Sequence, residues 1–197
     1  MRLPGSVQDF LHQFKEPWQP VSRASAIGWL TFYGLFLIYA FQNRGGFLFI
    51  DSANLIVHEA GHPLFSYFGQ TLMIWGGTLL ELFVPFALAV SFAYRRQVAA
   101  TAFCTFFFFE NFLYISVYMA DARAQELPLV TTGDADFAEH DWFRIFSDLG
   151  VLQHDTAIAK VISLIGWIGM LATCGWLVYR WRNSVPLRRT QAASGAY

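Results

Sequence analysis

An all-α, polytopic transmembrane bundle is the fold class this sequence predicts, with about four spanning helices plus one shorter, partly buried or re-entrant helix. Three observations carry it. Of 197 residues, 55% are hydrophobic and only 14% charged, with 21 Phe and 7 Trp. A soluble domain carries charge on about a quarter of its residues. Four apolar runs are each long enough to cross a bilayer. Between the first two lies a shorter segment, residues 47–68, whose apolar residues are interrupted by His58-Glu59-Ala60-Gly61-His62.

The whole chain, 1–197, reads as one membrane domain. Residues 1–24 lack the apolar core of a signal peptide and carry Asp9, Glu16 and three prolines. Val7, Phe10, Leu11, Phe14 and Trp18 fall at helical spacing, which suits a short amphipathic helix on the membrane surface. Residues 25–119 hold spans one to three and the motif helix. The first span runs from Ser25 to about Gln42 and ends at Asn43-Arg44-Gly45-Gly46. The second covers about Met73–Tyr94, broken only by Glu81 and followed by Arg95-Arg96. The third covers about Gln97–Met119 and contains Glu110 and Asn111. Residues 120–155 form a mostly polar outer segment. Residues 156–181 hold the last span, and 182–197 a basic tail. Cys104 and Cys174 sit in apolar runs and read as small buried hydrophobes. A net charge of −1 gives no basic surface for nucleic acid. The bilayer itself is the expected partner.

His58 and His62 are four residues apart, so on a helix their imidazoles stack on one face and can grip one metal ion. Glu59 then stands beside the metal, where a carboxylate can take a proton from activated water. That pattern predicts one Zn2+ per chain and hydrolytic chemistry. Asn54, His58, His62 and Ser66 continue a polar stripe at spacing four, in a segment otherwise built from Leu55, Ile56, Val57, Leu64 and Phe65. Polar groups in such company are costly unless paired or ligated. Pro63 lacks an amide hydrogen and crowds the preceding turn, so the helix is expected to bend or stop just after His62.

Charge sets the expected topology. If the motif helix does not fully cross, Arg2, Lys15, Arg23, Arg95, Arg96, Arg180, Arg182, Arg188 and Arg189 share one side, against Arg44, Arg123, Arg144 and Lys160 on the other. The positive-inside rule makes the first side cytoplasmic, with both termini there and the motif toward the outer side.

A catalytic zinc site wants a third protein ligand and one open position. The outer segment supplies His140 and Asp121, the favoured pair, and Glu81 follows closely. Asp141, next to His140, could serve as a second-shell or bridging carboxylate. It could also cap a short helix through Trp142, Phe143, Ile145, Phe146 and Leu149, ended by Gly150. Glu110, Tyr114, Tyr118 and Asp121 form one stripe that could line a polar path to the site.

On the segment from about Leu55 to Phe68 and the polytopic layout, the chain resembles the intramembrane zinc metalloproteases of the site-2 protease type. The resemblance implies His58 and His62 as ligands and Glu59 as base. That family takes its third ligand from an aspartate just before a glycine, and no Asp-Gly occurs here. The expected activity is thus a membrane-embedded zinc-dependent hydrolase, foremost a peptidase with Glu59 as general base, acting on a membrane-embedded or membrane-adjacent substrate. The alternatives are hydrolysis of a lipid amide or ester, and a non-enzymatic metal-binding membrane protein.

Overall fold

The computed structural model describes residues 12–13, 15–128 and 140–184. The expected surface helix through Val7, Phe10, Leu11 and Phe14 lies outside them, as do 129–139 and the tail beyond 184. The described residues are all-helical, with six helices among them: α1 (Arg23–Gln42), α2 (Asp51–Ser66), α3 (Gln70–Tyr94), α4 (Val98–Ala120), α5 (Asp141–Asp148) and α6 (Asp155–Arg182). A 3-10 turn, Leu152–His154, leads into α6.

Four segments are long and apolar enough to cross a membrane: Arg23–Gln42, Gln70–Tyr94, Val98–Ala120 and Leu152–Arg182. They match the four runs expected from sequence. Leu35, Ile38, Phe83, Leu164 and Ile168 are exposed on them. Such an apolar exterior is unfavourable in water and at home in hydrocarbon. The protein is therefore described as multi-pass.

α4 is the central helix. α6 packs along it antiparallel, with Gly166 and Gly169 seated on Phe109. α1 lies parallel to α4, where Trp29 meets Phe103 and Tyr33 stacks on Phe106 at 4.4 Å. α3 runs antiparallel to α4, with Phe86 against Phe108. One end of the bundle gathers the start of α1, the α3–α4 turn and the end of α6. There Gln19 N–H bonds the Arg96 carbonyl at 2.9 Å, Val21 N–H bonds Ser184 Oγ at 3.1 Å, and Trp18 meets Trp176 edge-on. The opposite end gathers residues 43–50, the α2–α3 turn and α5.

α2 enters and leaves at that opposite end. Its first turn is deep: Asn54 Nδ2 donates to Glu110 at 3.1 Å. Glu110 lies about 15 Å down α4 from Ala120 at 1.5 Å per residue. α2 then climbs back to Ser66, turns, and descends as α3. This is the shorter re-entrant helix expected from the charge distribution. One expectation is corrected: the helix does not stop after His62 but continues through Pro63 to Ser66. Pro63 falls in the last turn, so it forfeits one helical bond, to the Glu59 carbonyl, with only three helical residues following, and Ser66 Oγ donates to the Pro63 carbonyl at 2.8 Å.

α2 and α3 touch through glycine. A Cβ on Gly61 would collide with the backbone of Gly76, and one on Gly76 would sit 2.7 Å from the Gly61 carbonyl. Small residues at both positions let the two backbones meet, as membrane helix pairs require.

Candidate metal centre

His58 and His62 rise one turn apart on α2, with ring centroids 4.9 Å from each other. Each ring has one nitrogen fixed by a neighbour. His58 Nδ1 lies 3.1 Å from Glu81 Oε2 of α3, and His62 Nδ1 donates to the Met73 carbonyl at 2.9 Å. Fixing Nδ1 as the donor sets the tautomer and leaves each Nε2 lone pair available. Both Nε2 atoms converge on one carboxylate oxygen. Asp141 Oδ2 lies 2.9 Å from His58 Nε2 and 3.3 Å from His62 Nε2. Ligands bound tetrahedrally at about 2.0–2.1 Å stand about 3.3 Å apart. The Asp141 oxygen thus stands at that distance or closer from each Nε2. Glu59 adds a further carboxylate, and its oxygen and the two imidazoles all lie within 4.8 Å of one another.

Local sequence explains each placement. Asp141 opens α5, whose Trp142, Ile145 and Phe146 are buried against Ile74 and Met119. That apolar face pins the helix across the ends of α3 and α4 and aims its first residue at the histidines. The helix is capped by His140, whose Nδ1 accepts the Phe143 amide at 3.3 Å. Asp141 is thereby released from the capping role expected of it. Gly150, at φ +69°, closes the far end. The Asp141 amide donates to Tyr118 Oη at 3.1 Å.

Of the sequence-predicted site residues, the structure brings His58, His62 and Glu59 together. It does not bring His140 or Asp121 to them. Those two face each other, with His140 Nε2 3.3 Å from Asp121 Oδ2. Asp121 also accepts the amides of Glu126 and Leu127, and the His140 ring stacks on Tyr118 at 4.2 Å. Asp121 thereby holds the loop that follows α4, and His140 Nδ1 holds the start of α5. Glu81 reaches His58 through Nδ1, not through the Nε2 that faces Asp141. The sequence reading gave Asp141 only a supporting or bridging place beside His140, not direct contact with both imidazoles. The available signal was an aspartate in the first turn of an amphipathic helix, beside a histidine free to cap it.

No known protein family, curated protein or solved structure matches this chain. Residues and geometry therefore carry the functional argument alone.

Burial alone would lower the His58 imidazole, but hydrogen bonds to Asp141 and Glu81 overcome it and raise it to about 10. His62 is likewise raised, by Asp141 against burial. Burial would raise Asp141, yet the two histidines hold it below the ordinary aspartate value. Without metal the cluster stores protons, and a metal must displace them. Burial lifts Glu59 above its ordinary value against the pull of both histidines.

Gly77 supplies the space for His58. A Cβ there would lie 2.5 Å from His58 Nε2. Gly77→Ala is expected to displace the ring, weaken metal binding more than tenfold and cost about 1–3 kcal/mol of stability, as overpacking does. Metal titration and thermal unfolding of the variant check this. Unchanged affinity would show that the ring has other room.

A second polar cluster lies deeper. Asp51 accepts the Leu48 amide at 2.7 Å and lies 3.5 Å from Asn54 Nδ2, which also bonds the fully buried Glu110. Burial pushes the Asp51 carboxyl up to about 6, with the Leu48 amide pulling the other way. The folded protein thus keeps a proton that the unfolded chain has lost. Stability from this group is full below about pH 4 and is lost as pH rises through 6. Thermal midpoints in detergent should show an extra fall between pH 4 and 6 in wild type that Asp51→Asn lacks. Parallel curves for the two proteins would refute this.

Proposed function

We propose that the chain is a membrane-embedded, zinc-dependent hydrolase of amide or ester bonds. One observation carries it: both His Nε2 atoms meet the Asp141 carboxylate at ligand spacing, with Glu59 alongside. His58, His62 and Asp141 would hold the ion, leaving a fourth position. A zinc ion bound there would lower the pKa of water toward about 7 and polarise a carbonyl.

The chain's own groups supply the rest. Glu59 lines a cavity of about 390 Å³ together with His58 and Tyr118. From there its carboxylate takes a proton from the attacking water and returns it to the leaving nitrogen or oxygen. Glu81 and the Met73 carbonyl orient the two imidazoles. Tyr118, held by the Asp141 amide, places its hydroxyl on the same cavity, where it can donate to a carbonyl oxygen gaining charge. A purely structural metal site would have no use for Glu59 facing a cavity. By the positive-inside rule, the end carrying Arg23, Arg95, Arg96, Arg180 and Arg182 faces the cytoplasm, and the site opens in the outer half.

Metal content of the detergent-purified protein tests this reading. About one zinc per chain is expected in wild type and in Glu59→Gln, and little in His58→Ala or His62→Ala. Wild type that neither carries nor takes up metal would end the proposal.

A further inference from the structure

The cavity beside Glu59 has a shape and lining that discriminate between substrates. It lies between α2 and α4, which touch at few points although α2 packs closely against α3. Leu55 and Glu59 form one wall, Tyr114 and Val117 the other, and no Lys or Arg is among its described lining residues. Its rim is apolar and outward-facing. Phe47 is 57% exposed, and the adjoining outer face of α2 carries Ile56, 72% exposed. Apolar side chains so exposed belong against hydrocarbon, so the mouth opens sideways to the bilayer rather than to water.

The lining separates an extended peptide from an acyl chain. An extended peptide would need partners for its backbone amides and carbonyls, normally an exposed strand edge. No strand occurs among the described residues, and most helical backbone groups are already paired, the Glu59 carbonyl that Pro63 leaves without an amide excepted. The irregular lining has little to offer. The Gly46 amide is bonded to the Asn43 carbonyl, the Leu127 amide to Asp121, and Pro128 has none. Unpaired peptide groups in an apolar slot are costly, and an acyl chain has no such groups.

We propose that this cavity takes the acyl chain of a lipid amide or ester, entering from the side of the bundle, with its carbonyl beside Glu59. This rests on the hydrolase reading above. Water adds to the acyl carbonyl and the C–N or C–O bond breaks. A fatty acid and an amine or alcohol are released, the leaving atom receiving the proton that Glu59 took from water.

The test is binding of hydroxamates, which chelate zinc at an open position, to the zinc-loaded protein in detergent. The probes are the straight-chain series from acetohydroxamate to octanohydroxamate, beside a Leu-Leu dipeptide hydroxamate. His58→Ala sets the baseline for partition into micelles. Affinity is expected to rise at least tenfold along the straight-chain series, with the dipeptide no better than acetohydroxamate. Val117→Trp should remove the chain-length gain and leave acetohydroxamate binding unchanged. The wild-type series decides the matter even if that variant does not fold. Acetohydroxamate binding with no gain from added methylenes would overturn the acyl proposal and leave the metal site standing, as would tightest binding by the dipeptide. If a stoichiometrically zinc-loaded protein binds no hydroxamate at all, the open position is missing and the hydrolase reading falls first.

Discussion

Glu59→Gln should cut turnover by roughly 10²–10⁴-fold, the usual contribution of a positioned general base, while zinc stays bound. Glutamine keeps the size and hydrogen-bonding reach of the side chain and loses only the ability to accept a proton. Neither imidazole depends on Glu59 for its orientation, since Glu81 and the Met73 carbonyl hold them. Rate and metal content should therefore separate. The measurement is turnover of any amide or ester that wild type hydrolyses, with zinc assayed on the same sample. Full activity in the zinc-loaded variant would remove Glu59 from the mechanism.

Asp141→Asn is the second large effect. The substitution preserves shape, so α5 should stay docked through Trp142, Ile145 and Phe146. What disappears is the anionic oxygen 2.9 and 3.3 Å from the two Nε2 atoms. Loss of a neighbour that only orients a ligand costs about 10–100-fold in metal affinity. Loss of a ligand should exceed that, so Asp141→Asn is expected to weaken zinc by more than about 100-fold. His140→Ala and Asp121→Asn should both retain one zinc per chain, because their mutual contact lies outside the cluster. Zinc titration of the three variants would then rank them plainly. Retention by Asp141→Asn and loss by His140→Ala would reverse the assignment.

Much of the architecture is legible in the sequence because hydrocarbon imposes simple rules. A helix exposed to lipid must be apolar along its length, so Ser25–Gln42 and the three later runs declare themselves. The re-entrant path of α2 follows from placing Arg2, Lys15 and Arg23 on one side with Arg95, Arg96 and Arg180, two groups that a fully crossing motif helix would have split. The imidazole pair is legible because two ligands four apart on a helix need no tertiary information. The third ligand is not. Asp141 stands 83 residues from His58, and its position depends on where the apolar face of α5 docks. Which neighbour caps that helix is also decided by tertiary packing. His140 and Asp141 sit side by side in sequence and look interchangeable as donors until the fold sends one to the helix start and the other to the metal cluster. The glycine contacts behave alike: Gly61 and Gly76 read as spacers until two helices meet on them.

The spacing of the ligands along the chain also orders events in time. The ribosome delivers His58 and His62 well before Asp141. At about 5–20 residues per second, the interval across 83 residues is roughly 4–17 s. During that interval α3 and α4 emerge, while the histidine pair has only its flanking groups for company. Two imidazoles would hold zinc far less firmly than the proposed three-donor set, so durable loading would wait until α5 has been made and has docked. Metal retention in the nascent protein would then report that most of the bundle has been inserted.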